Sequence, residues 1–170
     1  VGRDVRADSL SWAQSAGGAI ANARDVDRWV RTIFSGRFVP PKQQAEWLKL
    51  VSTTTGKPIA DVSAGDPRGF SLGLARSILP GVGAQWFYEG ETLGYRTLYV
   101  WFGADDMVIT VQTNSQPAGA DKLGDAVGAL YQIAKGNAAG KCGKRAARTS
   151  AFLPPASPPA SEPVSQRARG

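Results

Sequence analysis

The chain has 170 residues, 42% of them apolar, and its 20 basic and 14 acidic side chains give a net charge of +6. That length suits about one domain with a core of its own, and no apolar run approaches the ~20 residues that a membrane-spanning helix needs. The charge is uneven, 14 Lys+Arg against 13 Asp+Glu over residues 1–135 and 6 against 1 over 136–170, so the near-neutral body argues against a basic nucleic-acid surface and the basicity belongs to the tail.

In chain order, VGRDVRADSLSWAQ lacks the apolar segment of a secretory signal. The spacing in NARDVDRWVRTIFSG predicts a helix. Asn22 caps it, Asp25 lies in its first turn, and Val26, Trp29, Val30, Ile33 and Phe34 share one face. Gly36 closes it. PPKQQAEWLKLVS predicts a second helix with Pro41 at its first position and Trp47, Leu48 and Val51 on one side. Trp29 and Trp47 are assigned to the core. TTTGKPIADVSAGDPRG is loop-like in its Gly, Pro, Thr and Asp content.

The period then changes from 3.6 to two. GFSLGLARSIL alternates Phe70, Leu72 and Leu74 and predicts a strand, turned by PGVG. Gln85–Glu89 follows as a strand, Gly90–Gly94 as a bend, and Tyr95–Phe102 as a strand in the middle of a sheet. GADD turns the chain into MVITVQTN, which alternates Met107, Ile109 and Val111. ADKLGDAVGALYQIAKG predicts a closing helix with Leu123, Ala126, Val127, Leu130 and Ala134 inward and Gly136 at its end. Residues 140–170 form a basic Pro/Ala/Ser-rich tail that cannot bury enough to offset its ordering entropy, and disorder is expected there. The order of elements predicts an α+β fold. An antiparallel sheet of three or four strands is packed by the C-terminal helix, and the N-terminal helices belong to an adjoining helical region.

Chemistry is narrowed by absences. There is no histidine, which excludes Ser-His-Asp and Cys-His catalysis and His-based metal sites within the chain. The single cysteine, Cys142, forms no internal disulfide and has no base to activate it. Asp105-Asp106 reads as a hairpin turn rather than a metal site. Ser115 reads as a strand-end residue, and the glycine pair of SAGG is too weak a motif for an anion site. No metal and no cofactor are expected. What packing does not ask for is Glu89-Gly90-Glu91, two carboxylates around a glycine at the end of an aromatic strand. Their spacing places both side chains on one face. An ion pair with Arg96 and solvated turn positions are the expected roles, ahead of an acid–base pair.

Three segments resemble the C-terminal part of the β-lactamase-related serine hydrolases, which include class C β-lactamases, D-Ala-D-Ala carboxypeptidases and esterases of the penicillin-recognition fold. They are SAGGAIANARDVDRWVRTIFSG (15–36), RGFSLGL (68–74) and WFYEGETLGYRTLYVWFGADDMVITVQTNS (86–115). The resemblance runs from about Ser9 to Lys135, and residues 1–139 are taken as this portion of the domain. It implies an acyl-serine mechanism resting on Ser-x-x-Lys, on Tyr-x-Asn or Ser-x-Asn, and on Lys-Thr-Gly or His-x-Gly. The first two are absent here. Thr54 alone has Lys three residues on, at Lys57, in a Gly/Pro-rich loop. The resemblance places Tyr88-Glu89-Gly90 on the third motif. The strand would then border the substrate cleft, with Tyr88 pointing in, Gly90 allowing close approach, and the Glu91 N–H as one oxyanion donor.

Tyr88 stands where penicillin-processing members carry Lys or His, and it brings no positive charge at neutral pH. The implied substrate of the parent is therefore a neutral ester or amide. The implied partner is the missing N-terminal segment of the same domain. Family members are often exported, to the periplasm or beyond, though this chain shows no segment that would direct export. The expectation is a C-terminal fragment, inactive alone. The alternative is a non-catalytic binding module derived from the same fold.

Overall fold

The structure, a computed structural model, describes residues 4–79, 81–115 and 122–140. A 3-10 turn at Ser11–Ala13 leads into three helices: α1 (Gln14–Gly17), α2 (Ala23–Phe34) and α3 (Pro41–Trp47). Seven strands follow: β1 (Leu50–Ser52), β2 (Pro58–Ile59), β3 (Arg68–Phe70), β4 (Ala75–Leu79), β5 (Gly83–Thr92), β6 (Tyr95–Phe102) and β7 (Met107–Thr113). Helix α4 (Leu123–Gly140) closes the described part. The strands make one antiparallel sheet in the order β2-β1-β3-β4-β5-β6-β7. The expected α+β class is observed.

Helix α2 forms where its spacing predicts. Asn22 Oδ1 accepts the Asp25 N–H at 3.1 Å, and Gly36 leaves the helix with φ +69°. Its buried residues, Val30 and Ile33, press on the sheet, and Phe34 stacks on Trp101 (5.5 Å) and contacts Trp86 (5.9 Å). The helix thus lies directly on the sheet instead of joining a separate helical region, because its apolar stripe packs on β7 and β6, with Phe34 against Trp101 and Trp86. Trp29 departs from the expected core. It is 44% exposed and meets Phe38 edge-on at 4.9 Å.

The pairs Trp86↔Trp101 and Tyr88↔Tyr99 put Trp86, Tyr88 and Gly90 on one face with Thr97, Tyr99 and Trp101. Helix α2 covers this first face over β7 and β6, with Phe34 reaching Trp86 of β5, and leaves Tyr88 half exposed. On the second face, Leu98, Val100, Phe102 and Ile109 pack with Leu123, Val127 and Tyr131 of α4. Each fully buried side chain there contributes about 1.5–3 kcal/mol, against ~0–1 kcal/mol for an exposed ion pair. The second-face core therefore holds the fold. β6 is an interior strand, as predicted, with β5 and β7 on its edges.

Several boundaries differ from the sequence expectation. The predicted second helix stops at Trp47, and Leu50–Ser52 becomes strand β1, pairing with β2 and β3. Val51 is therefore a strand residue. The sheet has seven strands rather than three or four because two very short ones, β1 and β2, are cut from helix-like and loop-like sequence. GFSLGLARSIL is two strands. Gly73 takes φ +84° and the Ser71 N–H donates to the Leu74 carbonyl at 2.8 Å, which turns β3 into β4. Leu72 is left exposed at that turn. On α4 the expected inward residues Leu123 and Val127 are buried, but Tyr131 is buried in place of the exposed Leu130, and the helix continues past Gly136 to Gly140. The Pro-rich tail from 141 onward and Cys142 lie outside the described residues.

Candidate functional site

β5 is longer than its neighbour. β4 pairs with it only from Gly83 to Phe87, while β6 pairs with it from Trp86 to Thr92. Tyr88–Thr92 therefore runs on past the end of the β4 ladder. The sequence expects a bend at 90–94, but the strand continues to Thr92 and the turn is only Leu93-Gly94, with φ +33° and +86°. Two successive positive φ values fit a tight two-residue hairpin.

That turn makes Thr92 and Tyr95 the closing bonded pair. Gly90 and Tyr88, two and four residues back, also direct their backbone groups at β6. Glu89 and Glu91 then direct their N–H and C=O groups away from β6, toward the side where β4 has ended.

Gly90 needs no special backbone. Its φ lies outside the left-handed region, and a Cβ built on it meets nothing within 4 Å. Gly94 contrasts with it, having φ +86° and Val5 Cγ2 2.8 Å from a built Cβ. At Gly69 a Cβ would meet Ile59 and Leu50 side chains at 3.2 and 3.3 Å. Among the described residues, packing explains Gly69 and Gly94 but not Gly90.

Tyr88 is 39% exposed on the first face, with its ring 6.1 Å from Phe70 and Tyr99 opposite it on β6. Burial, and secondarily Tyr88 nearby, pushes the Tyr99 hydroxyl up to about 12, so Tyr99 keeps its proton at neutral pH. Phe70 also lines a shallow, mostly apolar concavity of about 530 Å³ with Lys49, Val51, Ser52, Ser71 and Leu72. The sequence pattern did not place Phe70 beside Tyr88; their ring contact is made only in the tertiary structure.

The carboxylates lie on the opposite face. Arg96 Nη2 donates to Glu89 Oε1 at 2.7 Å, and Arg96 Nε lies 3.3 Å from Glu91 Oε2. Arg96 is 8% exposed. The expected ion pair is therefore observed and is partly buried rather than solvated. Both carboxylates meet the same guanidinium.

The remaining candidates fall elsewhere. Thr54 and Lys57 sit around the β1–β2 turn, where Ser52 Oγ accepts the Thr54 and Thr55 amides at 3.2 and 3.0 Å, with no helix present. Asp105 lies in the 3-10 turn Gly103–Asp105, and Asp106 follows it with φ +47°. Ser115 ends the described segment after β7, and Thr113 Oγ1 donates to its carbonyl at 2.7 Å. No group of three or more His, Cys, Asp or Glu is placed to hold a metal ion among the described residues. Among them, no helix is long and apolar enough to cross a membrane.

Compared with protein-family models, with curated proteins and with solved structures, the chain finds no significant match.

Proposed function

We propose that this chain is the C-terminal part of a β-lactamase-related serine hydrolase and supplies one wall of its acyl-transfer cleft. The observation that carries this reading is Gly90, a mid-strand glycine that neither φ nor neighbouring atoms require, on the stretch of β5 that outruns β4. A glycine there leaves room for another molecule to approach the backbone. The Glu91 N–H, aimed away from β6, would polarise the substrate carbonyl as one of two oxyanion donors. Tyr88 would flank the substrate from the first face as a neutral hydrogen-bonding group. The attacking serine and its lysine would come from the preceding part of the parent, since the described helices carry no Ser-x-x-Lys.

The mechanism is acyl transfer. The serine oxygen attacks the carbonyl carbon, and its proton passes through the lysine to the leaving alkoxide or amine. Water then releases the acyl group as a carboxylic acid. Tyr88, which brings no cation, favours an uncharged ester or amide over a substrate carrying a carboxylate.

The test joins this chain to the coding sequence upstream of Val1 and measures p-nitrophenyl ester hydrolysis by the joined protein and by the chain alone. The reading expects turnover only in the joined protein. Unrelated upstream sequence, or equal turnover by the isolated chain, would overturn it. A complete second-face core between β6, β7 and α4 favours a second reading, a non-catalytic module of the same fold. That reading expects cooperative unfolding of the isolated chain and no turnover in either form.

A further inference from the structure

We infer that Arg96 is the positioning residue of the β5 rim, clasping the carboxylates on both sides of Gly90 and so setting the direction of the Glu91 N–H. The use of this clasp rests on the acyl-transfer reading. Its geometry is independent of it.

Three observations carry the inference. Gly90 has the least constrained backbone of the rim, and the β4 ladder that steadies the first half of β5 ends at Phe87. Rigidity at Gly90 must therefore come from β6 and from the flanking side chains. Glu89 and Glu91 flank it, and both reach Arg96, at 2.7 and 3.3 Å, on the face away from Tyr88. Arg96 is itself pinned. It is 8% exposed and lies opposite Glu91 in the β5–β6 register. A buried guanidinium is costly unless paired, so this residue is held where it meets both carboxylates. A planar fork can hold two carboxylates at once, which a lysine ammonium does less well.

The clasp lies on the face opposite Tyr88, so it leaves the Tyr88 side of the rim open. Arg96 would touch neither substrate nor serine. It would act through the backbone of residues 89–91.

The test uses the 170-residue chain labelled with ¹⁵N, as wild type, Arg96→Met and Arg96→Lys. Residual dipolar couplings report the direction of the Glu91 N–H, and hydrogen exchange is followed at Gly90 and Thr92 and at the core amides of Ile109 and Val127. In Arg96→Met, the Glu91 coupling should change and the Gly90 and Thr92 amides should exchange about tenfold faster, a local loosening, while the core amides hold. Arg96→Lys should fall between. Uniform acceleration at all four sites, or no change in the Glu91 coupling, overturns the positioning role. If Arg96→Met fails to fold, the Glu89→Gln/Glu91→Gln double variant is judged by the same two criteria. None of these outcomes bears on acyl transfer itself, which ester hydrolysis by the joined protein decides.

Discussion

Tyr131 of α4 donates its hydroxyl to Asp105 Oδ2 at 2.7 Å across 26 positions of sequence, while its ring stacks on Phe102 at 4.3 Å. Lys135, one turn further along α4, donates to the other oxygen of Asp105 at 2.6 Å. The β6–β7 turn and the closing helix are thereby hooked together. The Asp105-Asp106 turn, read from sequence as punctuation, is also an anchor.

The anchor makes stability pH-dependent at the acid end. The Lys135 ammonium, and then the Tyr131 hydroxyl, hold the Asp105 carboxyl below its ordinary range. The unfolded chain binds that proton more readily, at a pKa of about 3.9. The stabilisation is present above that value and is lost as pH falls through it toward the folded value. Asp105→Asn should therefore show a shallower fall in Tm between about pH 5 and 3 than wild type. The residual fall should include Asp61, whose carboxyl is lowered mainly by its hydrogen bonds from Arg76. Equal slopes in thermal melts of the two proteins would remove Asp105 from the account.

Two glycines four residues apart should behave oppositely. Gly94→Ala forces a side chain into φ +86° and against Val5, and should cost about 1–2 kcal/mol from the backbone alone. Adding Val5→Ala should relieve the contact but not the backbone strain. Gly90→Ala meets open space and should leave the fold unchanged or about 0.5–1 kcal/mol more stable. On the acyl-transfer reading, the same substitution in the joined protein should lower ester turnover by up to ~100-fold, the scale of a small misplacement at a reacting centre. Urea titration checks the stability of both variants, and initial rates check turnover.

On α2 the buried and exposed apolar residues should separate cleanly. Ile33 is 1% exposed, and Ile33→Ala should cost about 2–5 kcal/mol by leaving a cavity. Trp29→Ala removes an edge-to-face contact with Phe38 and should cost less, about 0.5–1.5 kcal/mol beyond the lost area. Urea midpoints in the reverse order would mean that α2 docks by its Trp29 side.

The cap of α2 should be worth about 1 kcal/mol, read as the loss in Asn22→Ala. Asn22→Asp should retain it, since an aspartate oxygen accepts the same Asp25 N–H. Circular dichroism melts of the two variants compare them directly.

Asn22, Gly36 and the spacing from Val26 to Phe34 made α2 legible because a helix bonds to itself within four residues. Met107–Thr113 was legible because alternation is a local property of a strand, and Tyr95–Phe102 because its near-continuous apolar run marks an interior strand. Leu50–Ser52 was not. Three residues after a helix show no period, and they become strand only because β2 and β3 supply partners. The two-strand character of 68–79 hung on Gly73, one glycine inside an apolar alternation.

The sequence by itself determined the α+β class, the Asn22 and Gly36 ends of α2, the alternation that sets Tyr88 apart from Glu89 and Glu91, and the lack of histidine. Tertiary structure alone decided that β4 ends at Phe87 while β5 runs on to Thr92. It also decided that Arg96 is buried where it meets both carboxylates, and that Phe70 stands beside Tyr88. These are matters of register and strand order between segments far apart in the chain. They are set by the sum of many packing contacts, which no local period records.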